Sequence, residues 1–309
     1  MVQMTVIIIV LVLLVIVAVI SCLMAAYVAK PRYTSLEKAK EIAEEAGFWR
    51  DYDKLEQEEL EITSYDGYRL KAFYVPAPQE SDKYVIISHG YTYNRYGSLR
   101  YLHMFRSFGY NCLIYDDRGH GANPRTKCTM GVRESKDLLT VIRWMYDRFG
   151  EDIVLGLHGE SMGSALQIMA LKEKPKVRFV VNDCGYADLM GVLQNNVGTL
   201  HMPKWSCYLA SAACRVVFGY SFTGVRPIDS LQENTVPICF MHGAADDFIP
   251  CDHSERMHQA MTAYSELHLF PGADHGHSID SDEEGYYKIV KEFLDKVLKD
   301  GGTGVGASE

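Results

Sequence analysis

The sequence predicts an α/β fold: a mainly parallel sheet of the eight-stranded type, covered by helices on both faces. Three observations carry this. Short apolar runs alternate with helical stretches from Tyr84 to Phe270. A hairpin pattern precedes them, giving an antiparallel start. One of the apolar runs passes without a gap into a helix through Gly159-Glu-Ser-Met-Gly163.

The first element is apolar. Residues 1–29 contain no charged side chain, and Val6 to Ala18 is almost unbroken Val, Ile and Leu. Twenty-odd such residues form a helix of roughly 35 Å, enough to cross the hydrocarbon core of a bilayer. Met1-Val-Gln-Met4 supplies none of the basic residues that open a cleaved signal peptide, so a spanning anchor is expected. Lys30, Arg32, Lys38, Lys40 and Arg50 all follow the span, which favours a single-pass membrane protein with its globular part in the cytoplasm. The eight cysteines agree, because seven are scattered through the globular part with no disulfide framework.

Residues 30–59 read as a charged, helical connector. Residues 60–299 form one globular domain, since no Pro-, Gly- or Ser-rich linker divides them. The formal charge of -9 argues against a nucleic-acid partner. Leu60 to Tyr65 and Tyr68 to Val75 alternate in period two around Asp66-Gly67, the hairpin signal. Strands are expected at Tyr84 to Ser88, Asn111 to Tyr115, Ile153 to Leu157, Phe179 to Asn182, Ile238 to Met241 and Leu267 to Phe270. Helices are expected at Ser135 to Arg148, Ser161 to Lys172 and Glu255 to Tyr264. Residues 187–225 lack a strand and read as an inserted helical cap. The Gly-rich 300–309 reads as a disordered tail.

The chemistry begins at Ser161. The G-x-S-x-G pattern puts a serine on a sharp strand-to-helix turn, where glycines are needed because a Cβ would collide with backbone. A serine hydroxyl needs a general base, and the base needs a partner to fix its tautomer. Two polar turns follow apolar strands downstream, where open α/β sheets place their sites. One offers Asp246 or Asp247 as the acid; the other offers His275 or His277 as the base. Oxyanion stabilisation needs two backbone N–H groups, expected from Met162 and from Tyr91 in Ser88-His-Gly-Tyr91. His89, His120, His158 and His242 read as structural groups at strand ends. Asp116-Asp117-Arg118 reads as internal salt bridges and turn contacts, and Glu160 as a solvated or hydrogen-bonded carboxylate. Cys251, His253, Asp274, His275 and His277 match no structural zinc pattern in spacing or number, so no metal is expected. Met190, Met202, Trp205, Tyr208 and Phe218 of the cap read equally as acyl-pocket lining or as the cap's own core.

Ser88-His-Gly90, Asp116-Asp-Arg-Gly-His-Gly121, Gly159-Glu-Ser-Met-Gly163, Gly243-Ala-Ala-Asp246 and Gly272-Ala-Asp-His275 stand in the order and spacing of the α/β-hydrolase superfamily. Over residues 58 to 298 the chain resembles bacterial membrane-anchored serine hydrolases similar to the serine aminopeptidase and monoacylglycerol-lipase-like branch. The resemblance points to Asp246 as acid and His275 as base, and implies a helical cap after the sixth strand. It also implies acyl-bond hydrolysis, of a carboxylic ester in a small-molecule or lipid substrate, through an acyl-enzyme and without a cofactor. An aminopeptidase or amidase with the same triad, and a non-catalytic binding module, are the alternatives.

Overall fold

The computed structural model describes residues 1–299, so the tail expected at 300–309 lies outside the described residues. The apolar N-terminus forms α1 (Val2–Ala29), long and apolar enough to cross a membrane. Its side chains from Val2 to Ile20 are exposed all round. After it come α2 (Leu36–Glu45), capped by the Ser35 hydroxyl on the Lys38 N–H, and a short turn of helix at Tyr52–Lys54.

The hairpin is β1 (Glu58–Thr63) and β2 (Arg69–Val75), antiparallel, with Leu60 opposite Ala72 and Ile62 opposite Leu70. Gly67 sits at φ +81°, the left-handed conformation that its turn requires. The chain continues through β3 (Lys83–Ser88), α3 (Leu99–Ser107), β4 (Asn111–Tyr115), α4 (Glu134–Phe149), β5 (Val154–Glu160), α5 (Met162–Ala170) and β6 (Val180–Asp183). The insertion contributes α6 (Leu189–Thr199) and α7 (Ser206–Phe218). The domain closes with β7 (Ile238–Gly243), α8 (Asp252–Gln259), β8 (Ser265–Phe270), α9 (Ser278–Ser281) and α10 (Glu283–Lys299).

One eight-stranded sheet results, in the order β1-β2-β4-β3-β5-β6-β7-β8, parallel except where β2 meets β1 and β4. Leu138, Val141 and Met145 of α4, Leu166 of α5 and Met257 of α8 pack one face. Leu102 and Phe105 of α3, with Val290 and Phe293 of α10, pack the other. The chain runs from β3 outward to β4 and then back across to β5. This reversal opens a crevice at the carboxyl ends of β3 and β5. The helix expected at Glu255 to Tyr264 begins earlier and stops at Gln259, because the chain must turn at Ala260 to start β8 at Ser265.

A third apolar cluster joins the cap to the end of α1. Ala25, Val28 and Ala29 are buried against Cys207, Ala210 and Cys214 of α7. Ser21, Ala25 and Ala29 recur every four residues, and Cys207, Ala210, Ser211 and Cys214 share one face of α7. Small side chains on both helices let the backbones approach closely. The carbonyls ending α1 lack helical partners and take them from the domain. Cys128 N–H donates to Ala29 O at 2.9 Å, and Tyr91 Oη donates to Val28 O at 2.9 Å and Tyr27 O at 3.3 Å.

Candidate active site

Ser161 stands between β5 and α5 at φ 54°, ψ -115°, outside the regions open to an ordinary L-residue. Such a conformation costs about 1–3 kcal/mol and persists only where the surroundings over-determine it. They do so here. A Cβ on Gly163 would overlap the Ser88 carbonyl, and one on Gly159 would meet the backbone of Gly163 and Ser164. Ser161 N–H donates to Asp183 O at 2.8 Å, and Ser164 Oγ binds the same carbonyl at 2.9 Å. Gln167, fully buried, donates to His158 O at 2.6 Å and Ser88 Oγ at 3.1 Å, locking α5 onto the strand ends.

His275, in the turn after β8, lies with Nε2 2.9 Å from Ser161 Oγ and Nδ1 2.7 Å from Asp246 Oδ2. Of the two candidates in each turn, these are the ones brought together. Asp247 is exposed, and its carbonyl accepts from Asn195. His277 points outward to Asp280, 2.6 Å away. Burial alone would raise the Asp246 carboxyl. Hydrogen bonds from His242 and His275, the His275 charge and the Ile249 N–H outweigh it and hold the group down at about 2. An ionised Asp246 accepts a hydrogen bond from Nδ1–H, which leaves Nε2 as acceptor for the Ser161 hydroxyl. His242 was expected to be structural, and it supports the acid: Nε2 lies 3.2 Å from Asp246 Oδ2 and 2.8 Å from Ile249 O, while Nδ1 meets Ser254 Oγ at 2.7 Å.

The turn after β3 lies against the serine, since a Cβ on Gly90 would stand 3.6 Å from Ser161 Cβ. Its backbone is held by His89, whose Nδ1 donates to Gly90 O at 2.8 Å while Nε2 accepts the Asp117 N–H at 3.0 Å. The N–H groups of Tyr91 and Met162 have no acceptor among the described residues. Both are free to serve a ligand oxygen beside Ser161.

Behind the serine, Glu160 is bound by Arg100 at 2.5 Å and by Tyr101 Oη at 2.8 Å, a hydrogen-bonded carboxylate as expected. Asp183 accepts from Tyr101 and Tyr286, both at 3.0 Å, and from Ser278 at 3.1 Å. Its burial, reinforced by the Glu160 charge, raises it to about 6. Asp116-Asp117-Arg118 makes the expected salt bridges and turn contacts, Asp117 through its backbone, whose carbonyl accepts the His120 N–H at 2.9 Å. Asp116 pairs with Arg95 at 2.6 Å, and Arg118 pairs with Asp137 and Asp66. The Asp117 carboxyl, however, has no hydrogen-bond partner among the described residues. Burial, with Glu134 and Asp137 nearby, pushes it well above the usual carboxylate range.

A cavity of about 540 Å³ opens from Ser161 between the cap and the end of α1. Among the described residues no Asp, Glu, Lys or Arg lines it. Of the cap residues weighed from sequence, Met202 lines the cavity, whereas Met190 and Phe218 are buried in the cap's core. Trp205 and Tyr208 belong to neither group and are exposed on the outer face. Sequence reasoning missed Leu193 and Val197 of α6 and, above all, Leu23, Met24 and Tyr27 of α1. The available signal was the change after Ile20 from branched aliphatics to Ser, Ala and Met. A second hollow, of about 690 Å³, lies at the opposite strand ends around Lys83 and Asp152, away from the serine. Among the described residues, Cys239, Glu266 and His268 are the one group close enough to share a cation. Glu266 already binds Lys296 at 2.7 Å, His268 at 2.9 Å and the Tyr264 hydroxyl.

The chain is 29% identical over 253 residues to the uncharacterized protein YqkD of Bacillus subtilis, covering 81% of this chain and 83% of that one. It is 23% identical over 192 residues to the uncharacterized membrane protein YNL320W of Saccharomyces cerevisiae, covering 62% of each. Among solved structures it resembles the Pyrococcus furiosus esterase Pf2001, with TM-score 0.69 and 22% identity over 88% of this chain and 98% of that one. It also resembles the Pyrococcus horikoshii acylaminoacyl peptidase, with TM-score 0.62 and 17% identity over 82% of this chain and 44% of that one. These likenesses bear out the α/β-hydrolase fold. A family match over residues 98–301, which takes in the serine, the acid and the histidine alike, makes this chain a member of the prolyl oligopeptidase family.

Proposed function

We propose that this hydrolase cleaves carboxylic esters of apolar acyl groups through an acyl-enzyme. Ser161 attacks the ester carbonyl, and His275 takes the proton and returns it to the leaving alcohol. Asp246 fixes the His275 tautomer and balances the imidazolium, while the N–H groups of Tyr91 and Met162 receive the oxyanion. The observation that carries this reading is the unbroken run of bonds from Asp246 through His275 to Ser161, at 2.7 and 2.9 Å.

A peptidase using the same residues is the second reading, favoured by the family match. The cavity speaks for the ester. An aminopeptidase must hold a charged amino terminus, and among the described residues no carboxylate lines the space beside Ser161.

We assign α1 as a single-pass anchor and place the catalytic domain on the cytoplasmic side, where Lys30 and Arg32 follow the span. Burial of Ala25, Val28 and Ala29 in the cap's core supports an anchor over a cleaved signal, because cleavage would strip that core.

The test is labelling of the full chain with a fluorophosphonate and turnover of p-nitrophenyl acetate, both abolished by Ser161→Ala. An unlabelled wild type ends the hydrolase mechanism, whereas turnover of aminoacyl anilides without turnover of esters selects the peptidase.

A further inference from the structure

We infer that the end of the membrane helix is itself a wall of the acyl site, and that the ester bound there is a membrane lipid whose acyl chain enters sideways from the bilayer. The inference rests on the esterase reading of Ser161.

Three observations carry it. First, the cavity that reaches Ser161 is lined on one side by Leu23, Met24, Tyr27 and Val28 of α1. A helix whose outer part meets only lipid therefore also contacts the substrate space. Second, Leu23 and Tyr27 line the cavity and yet are 64% and 80% exposed, as is Leu200 of the cap at 70%. Residues that face the cavity and the outside at once form the rim of an opening. That rim is apolar and borders α1 itself, so it faces the membrane.

The third observation is depth. The hydrocarbon core takes about 20 helical residues, so roughly eight of α1 rise beyond it, by about 12 Å, through the headgroup layer. The opening at Leu23 to Tyr27 thus lies at headgroup level, where the ester bonds of glycerolipids sit. Helix α7, which packs against α1, agrees: Tyr208, Val216 and Val217 on it and Trp205 just before it are exposed, aromatic and aliphatic residues suited to the interface. A soluble ester would need no such rim. A chain already in the leaflet reaches Ser161 without crossing water.

The test uses the full chain in phosphatidylcholine proteoliposomes, with p-nitrophenyl acetate and p-nitrophenyl decanoate as probes and rates expressed per fluorophosphonate-labelled site. Met24→Trp fills the α1 side of the cavity. It is expected to lower the decanoate-to-acetate ratio of kcat/KM by about tenfold, the lower end of what a lost methylene's space is worth. Leu23→Trp, on the exposed rim, lowers the same ratio and serves should Met24→Trp fail to accumulate. Leu11→Trp, on the outer part of the helix and 55% exposed, leaves it unchanged. Wild-type decanoate turnover follows the mole fraction of ester in the bilayer. An unchanged ratio in both cavity variants, or turnover that follows bulk concentration, overturns the inference and leaves the esterase reading standing. A wild type that neither labels nor turns over acetate overturns the esterase reading itself.

Discussion

The phenol of Tyr91 donates a hydrogen bond to the backbone carbonyl of Val28 at 2.9 Å, joining the loop proposed to offer an N–H to the oxyanion to the last turn of α1. Burial raises the Tyr91 phenol far above its ordinary value, so it keeps the proton it donates. Tyr91→Phe keeps the backbone N–H and removes only the tie. One hydrogen bond is worth about 0.5–1.5 kcal/mol net, so kcat for p-nitrophenyl acetate is expected to fall by roughly 2- to 13-fold with KM little changed. Steady-state kinetics of the full chain measure this, and an unchanged kcat would show that the loop holds its position without α1.

Asp246→Asn keeps an oxygen for the N–H groups of Phe248 and Ile249, which Oδ1 accepts at 3.0 and 2.8 Å. It turns an amide donor toward His275 and selects the wrong tautomer. The expected loss in kcat is on the order of 10⁴-fold, with little loss of fold. Because Asp246 is held at about 2, it stays ionised at moderately acid pH, so any acid limb of the wild-type pH–rate profile above about pH 4 belongs to another group.

Gly163 and Gly67 separate two reasons for glycine. At Gly163 an added methyl overlaps the Ser88 carbonyl, which is backbone in a buried strand and has nowhere to go. Gly163→Ala is expected to cost more than about 4 kcal/mol and to leave little folded protein. At Gly67 nothing lies within 4 Å, and only its φ of +81° opposes a side chain. Gly67→Ala is therefore expected to cost about 1–2 kcal/mol. Thermal unfolding of the two variants side by side decides the order.

His253 accepts the Ala187 N–H at 3.1 Å where the chain enters the cap, and Arg256 faces the same nitrogen at 2.8 Å. Burial, then the Arg256 charge, lowers it to about 4. The unfolded chain binds that proton near pH 6.5, the folded chain only near pH 4. The stability it contributes is therefore complete above about pH 6.5 and is lost as the pH falls toward 4, by on the order of 3 kcal/mol. His253→Gln keeps an acceptor without titrating. Its denaturant midpoint should fall less steeply than that of the wild type between pH 6.5 and 4.

The residues proposed as catalytic were legible because open sheets collect polar turns at their carboxyl ends, and each turn here follows an apolar run. The choice within a turn came from the family resemblance, and the geometry agrees with it. Asp246 and His275 face inward, while Asp247 and His277 are turned to solvent by the same backbone. The helices α3 and α10 went unread. Each completes a face of the sheet with mixed aromatic and charged residues, and no apolar run announces them. The seat of α1 was hidden for a different reason. A uniformly aliphatic helix reads as a span from every side, and what distinguishes its final turns is smallness at Ser21, Ala25 and Ala29, which gains meaning only beside the small residues of α7.

That seam has an evolutionary consequence. A membrane segment that merely tethers can be exchanged for any other of similar length, and its sequence drifts freely. Here Ala25 and Ala29 share a packed surface with Cys207, Ala210 and Cys214, so enlargement on one helix must be answered by reduction on the other. Helix α1 and the cap are then a matched pair. A chimera carrying a foreign transmembrane helix would reach the membrane with its cap unseated.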